Sequence, residues 1–208
     1  MDHAPRSPRG VGFVRLGKDV AMTRLPALLL IFAGLTAVTT GALAAWKTEP
    51  GVATPSYAVT QPDTSTLNVD SVVLMCEPSG EPTPVLQLQL YLTDDGPLQP
   101  KGAAAEALKA EPRAELAIDG QVFPVGLYFA EDHVVVADDA QDAMPRLSGR
   151  LLDALQNGHR LVLRADLLAE PAGQPAAFDG TLEVALAGKA IAAVRRCATA
   201  PALSLATH

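Results

Sequence analysis

Val85-Leu-Gln-Leu-Gln-Leu-Tyr-Leu92 alternates between apolar and polar side chains from Leu86 onward. Leu86, Leu88, Leu90 and Leu92 fall on one side of an extended chain, and Gln87, Gln89 and Tyr91 fall on the other. A period of two with one apolar face is the signature of a strand in an antiparallel sheet laid on a core. Upstream, Val69 to Glu77 is a β-branched and apolar run followed by a turn at Pro78-Ser-Gly80. Downstream, Arg113 to Ile118 and Gln121 to Tyr128 are two strand-like runs separated by Asp119-Gly120. That dipeptide favours a tight hairpin, because a type I′ turn needs positive φ at both positions. His133 to Ala137, His159 to Leu167 and Phe178 to Leu186 complete the set of predicted strands. Leu147 to Asn157 changes to helical spacing and stops at Asn157-Gly158. The Ala-rich stretch 101–110 reads as a short helix or helical turn, and Lys189 to Arg196 reads as either helix or strand. The expected fold is mainly β: an antiparallel β-sandwich or barrel-like sheet over residues 69–198, with one or two short helices and a C-terminal tail at 199–208.

Composition agrees with one such domain. The chain has 208 residues, 49% of them hydrophobic but only 4% aromatic, so its core must be built from Leu, Val and Ala. The formal net charge is -7. Residues 1–44 hold five basic residues (Arg6, Arg9, Arg15, Lys18, Arg24) and two acids (Asp2, Asp19). Without them, 16 − 5 = 11 basic and 23 − 2 = 21 acidic residues leave a net charge of -10. Phosphate backbones are held by clustered Lys and Arg, so this balance argues against nucleic-acid binding.

The acidic domain follows a targeting segment. Leu25 to Ala44 carries no charge, Arg24 precedes it, and it ends in Ala42-Leu43-Ala44. A basic start, an apolar stretch and a small-x-small triplet together describe a secretory signal cut between Ala44 and Ala45. Translation from Met22 would give such a signal its ordinary length. The alternative is an uncleaved inner-membrane anchor, for which Trp46-Lys47 would form the interfacial flank. Either reading places the domain outside the cytoplasm, periplasmic or secreted in the first case. A membrane partner follows only from the second. Residues 45–68 carry Pro50, Pro55 and Pro62 and lack apolar periodicity, which predicts a tether or extended lead-in. Tyr57 to Thr60 is the one candidate edge strand within it.

Cys76 and Cys197 are the two cysteines, at opposite ends of the domain. In an oxidising compartment an even pair is more often bonded than free. Such a bond would close a loop of about 120 residues and contribute roughly 4–5 kcal/mol in the chain-entropy account. A redox or metal role is disfavoured, since there is no Cys-x-x-Cys and no His lies near either Cys.

Catalytic chemistry finds little support. Glu131-Asp132-His133, followed by Asp138, Asp139 and Asp142, mixes carboxylates and imidazole, but its spacing matches no calcium loop. The plainer reading is a solvated acidic loop. His159 beside Arg160 reads as a surface histidine near a helix end, and Arg195-Arg196 as a surface ion-pairing doublet. No serine sits in a nucleophile elbow, and no phosphate loop or zinc-protease motif occurs. No catalytic residue, metal ligand or cofactor is therefore assigned.

Leu116-Ala-Ile-Asp-Gly-Gln121, Leu151-Leu-Asp-Ala-Leu-Gln-Asn-Gly158 with the strand after it, and Phe178-Asp-Gly180 with Ala185 resemble the invasion-associated locus B family of small exported proteobacterial proteins. A looser similarity is to periplasmic accessory proteins of type VI secretion, through an early strand Cys and a β-sandwich build. The resemblance spans roughly residues 70–198 and implies a secreted or periplasmic β-rich protein without catalytic residues. The chain departs from that family in having no Cys pair around 128–137. The expected function is that of an exported, non-enzymatic β-domain that binds an envelope or secreted protein. The alternatives are a membrane-anchored assembly subunit, or a metal-binding or hydrolytic domain around His133.

Overall fold

The computed structural model describes residues 45–52, 54–78, 84–94, 96–140 and 144–199. Met22, the segment Leu25–Ala44 with its cut after Ala44, the turn residues 79 and 80, Asp142 and the tail from 200 onward lie outside these residues. The strands are β1 (Lys47–Thr48), β2 (Tyr57–Thr60), β3 (Thr64–Ser65), β4 (Val69–Glu77), β5 (Val85–Leu92), β6 (Leu108–Ile118), β7 (Gln121–Phe129), β8 (His133–Ala137), β9 (Arg160–Leu168) and β10 (Gly180–Ala185). The helices are α1 (Gly149–Asn157) and α2 (Gly188–Thr199). The strands form one antiparallel sheet, ordered β1-β2-β4-β5-β8-β7-β6-β9-β10-β3 and curled into a half-barrel. The expected mainly β fold, with a barrel-like sheet and two short helices, is the one observed.

The curl is made by β7. Its first half, Gln121–Val125, pairs with Ala114–Ile118 of β6; its second half, Gly126–Phe129, pairs with Val134–Ala137 of β8. A strand that changes partner along its length turns the sheet back over itself. Two apolar layers therefore face each other. One is the register row Ala58, Leu74, Leu88, Val136 and Leu127. The other is Leu182, Leu163, Leu116 and Phe123. All but Leu127 are buried, and they belong to one continuous core. The turn before β7 is the predicted hairpin, with Asp119 at φ 48° and Gly120 at φ 88°.

The helices close one end. Ser148 caps α1, its Oγ accepting from the Leu151 N–H at 3.2 Å, and Leu151, Leu152 and Leu155 are buried. The undecided stretch 189–196 is helical and lies within α2, which buries Ile191 and Val194 and packs on β4, β2 and α1. Arg195 fastens α2 to α1 through Gln156 at 2.7 Å and Asp153 at 2.9 Å. Cys76 at the end of β4 is bonded to Cys197 in α2, with Cα atoms 6.5 Å apart across a separation of 121 residues. Among the described residues no helix is long and apolar enough to cross a membrane.

One expectation needs correction. Residues 45–68 are an extended lead-in and not a loose tether: they supply β1, the candidate strand Tyr57–Thr60 as β2, and β3, which edge both ends of the sheet. The Trp46 indole donates to the Ala185 carbonyl at 2.8 Å, and Asp63 accepts from the Ala185 N–H at 2.6 Å. Ala58 and Leu67 are fully buried. Prolines interrupt this segment into strands too short to display a period, which is why it reads as irregular. The Ala-rich stretch 101–110 holds the expected helical turn as the 3-10 turn Ala105–Ala107, and β6 begins directly after it at Leu108.

Gly180 shows how tightly the lead-in is fitted. A Cβ there would lie 2.3 Å from Leu67 Cδ2. Gly180→Ala should destabilise the fold by roughly 1–3 kcal/mol through overpacking. In a urea-unfolding double-mutant cycle, that cost should shrink in a Leu67→Ala background. Cys197→Ser should cost about 4 kcal/mol by releasing the loop, read as a fall in the unfolding midpoint under non-reducing conditions.

Candidate binding face

The two outer faces of the sheet differ in how they meet solvent. Over β6, β9 and β10, cross-strand ion pairs join outward side chains, Arg164 with Glu115 at 3.0 Å and Arg160 with Glu183, beside a short row of Val122, Ala117 and Val162 in which Val122 is exposed. This is ordinary for an antiparallel sheet with one wet face. Over β2, β4, β5 and β8 the outward positions are different. One register row reads Val59, Val73, Gln89, Val135, Tyr128. The rows on either side are Tyr57, Met75, Gln87 and Ser71, Tyr91, His133. Tyr57, Val59, Ser71, Val73, Met75 and Tyr91 line a shallow depression in this face. Tyr128 stands exposed at its β7 border.

The glutamines that alternate with the β5 leucines do not face water. Gln87 and Gln89 are 5% and 2% exposed, and their amides are spent inside the face. Gln87 donates to the Pro145 carbonyl at 2.7 Å; Gln89 donates to Gln87 Oε1 at 3.1 Å and to Glu77 Oε1 at 3.2 Å. The Tyr91 hydroxyl donates to Gln89 Oε1 at 3.3 Å. The His133 ring stacks on Tyr91 with centroids 5.3 Å apart, while its Nδ1 lies 2.7 Å from Asp132 Oδ1. Burial pushes the Tyr91 phenol above its ordinary pKa, and the Asp132 and Glu77 carboxylates add to the rise. His133 holds the Asp132 carboxyl below its usual range by hydrogen bonding.

The other residues singled out from the sequence are dispersed. Asp138 accepts from the Ser148 N–H at 2.7 Å and from its hydroxyl at 2.5 Å, steadying the start of α1. Asp139 pairs with Arg146 at 3.3 Å. The acidic loop after β8 is thus partly a fastening, while Glu131 and Asp132 stay exposed. His159, 91% exposed, meets Asp119 at 3.1 Å, and Asp119 also accepts from the His159 and Arg160 N–H groups. Of these residues only His133 joins the face.

Sequence reasoning missed one buried charge. Asp166 alternates with the β9 leucines and so reads as outward, yet it is fully buried. Lys109 and Arg113 of β6 cover it and bond to its two oxygens, and Lys109 also reaches Glu170 at 2.7 Å. Desolvation raises the Asp166 carboxyl, but the hydrogen bonds from Lys109 and Arg113 outweigh it and hold the group below its ordinary range. Lys109 also borders an apolar cleft at the open end, with Leu98, Leu108, Pro112, Phe129 and Leu167. The cleft opens where β7 leaves β6 for β8.

Compared with protein-family models, curated proteins and solved structures, the chain matches none.

The charge cluster makes stability fall in acid. Because the Asp166 carboxyl is lowered by folding, its contribution is present above the ordinary aspartate range, near pH 4, and is lost as pH falls through the folded value. Asp166→Ala should cost about 2 kcal/mol or more by removing the buried carboxylate that Lys109 and Arg113 share, Lys109 keeping only Glu170. Urea-unfolding curves should show that penalty at pH 7 and a smaller one near pH 3.

Proposed function

We propose that this chain is an exported, non-enzymatic binding domain, periplasmic or secreted, that holds a protein partner against the outer face of β2, β4, β5 and β8. The observation that carries this reading is the character of that face. Five neighbouring strands set Val59, Val73, Gln89, Val135 and Tyr128 in one row with no charge; Val73, Gln89 and Val135 are buried among their neighbours, and Val59 and Tyr128 reach solvent at its two ends. The opposite half of the same sheet does carry charges. A contiguous apolar and aromatic patch with a polar rim suits protein contact. Its amides are committed to one another, so they hold the face rigid and leave little for small-molecule hydrogen bonding.

Support for export comes from the charge-free segment Leu25–Ala44 and from the Cys76–Cys197 bond, a linkage favoured in oxidising compartments. The resemblance to the invasion-associated locus B family points the same way. An inner-membrane assembly subunit retaining its anchor would use the same face.

The test is site-specific photocrosslinking in the native envelope. A photoreactive residue at Val59 should yield a discrete heavier adduct, whereas one at Val162, between the ion pairs of the other half-sheet, should not. Val59→Glu should abolish growth phenotypes that depend on the protein while leaving its circular dichroism unchanged. Equal crosslinking from both faces would sink the proposal.

A further inference from the structure

We infer that the segment docking on this face is cationic as well as apolar: it lays apolar side chains over Val59, Val73 and Met75 and sets a Lys or Arg against the ring of Tyr91. The inference rests on the reading of the face as a contact surface and adds the chemistry of what it contacts.

Tyr91 sits in a slot. His133, its cross-strand neighbour on β8, stacks against it. Ser71, its neighbour on β4, is too small to cover the other side of the ring. Because the Tyr91 hydroxyl already donates to Gln89, the ring itself is what the slot offers. Aromatic rings attract cations through their electron-rich faces.

Two carboxylates flank the slot. Glu77 is drawn over the face by Gln89 at 3.2 Å, and Asp132 stands at the start of β8 with its side chain 75% exposed. Their combined field reaches the Tyr91 hydroxyl and favours its protonated, neutral form. A partner covering the depression would strip water from Glu77 and from the part of Asp132 not bonded to His133, and a positive charge on the partner offsets that cost. The same argument disfavours a second copy of this chain, which has a net charge of -7 and would set like carboxylates against each other. It disfavours an anionic lipid surface as well.

The experiment titrates the purified full-length chain with two synthetic amphipathic peptides of identical Leu and Val content, one bearing Lys at its polar positions and the other Glu. The Lys peptide should bind at least about tenfold tighter. Glu77→Gln and Asp132→Asn should each weaken it by about threefold, and added salt should act in the same direction. Tyr91→Leu, which keeps the apolar bulk and removes the ring electrons, should narrow the gap between the peptides. Equal affinity for both peptides, or no response to the paired Glu77→Gln and Asp132→Asn changes, overturns the inference. If crosslinking from Val59 still gives its adduct in that case, only the charge requirement falls. If Met75→Glu, in the same depression, alters neither peptide binding nor the Val59 adduct, the face itself is wrong. Concentration-dependent dimers that the Lys peptide fails to dissociate would make a second copy the occupant and overturn the inference.

Discussion

Strand β7 bonds to β6 through its first half and to β8 through its second, and the core exists because of that change of partner. With 4% aromatic residues, the chain must bury many medium-sized side chains. A flat sheet of these strands would leave one leucine layer open to water. Curling places the Leu88 row over the Leu163 row, so each layer becomes the solvent of the other. Fully burying each leucine contributes roughly 1.5–3 kcal/mol, and the layers supply many. Where the sheet cannot close, α1 and α2 fill the gap, and the Cys76–Cys197 bond ties that filling to β4.

The same curl divides the outside in two. One half-sheet carries ion pairs across its strands. The other carries tyrosines, valines and a glutamine ladder that is internally satisfied. Because both halves share the same backbone network and the same core, the difference between them is not demanded by the fold. It lies in outward positions, where sequence is free to serve something other than stability. The buried Asp166 cluster belongs to the first kind of necessity: once Lys109 and Arg113 fold over β9, each charge requires the others.

Much of this was legible in the sequence. Long strands such as Val85–Leu92 declare themselves because one face is buried and the other is not. The Asp119-Gly120 hairpin was visible because its backbone demands few residue types. The cysteine pair followed from compartment and number. The short strands Lys47–Thr48 and Thr64–Ser65 escaped because two residues cannot show a period. Asp166 escaped because alternation assigns a side but does not reveal what lies over that side, and Lys109 sat in a stretch that looked helical. The binding face escaped for a third reason. Val59, Val73, Val135 and Tyr128 are spread from position 59 to position 135, and only strand register brings them into one row.

Trp46 has one further consequence. It is the sole tryptophan of the chain, and its indole is bonded to the last residue of β10 from beside the first strand. The two extremes of the strand sequence thus meet at one chromophore. Its emission reports the closure of the lead-in on the half-barrel separately from the backbone signal of the sheet. Unfastening of the amino-terminal edge can therefore be followed optically, without any added label, while the rest of the domain stays folded.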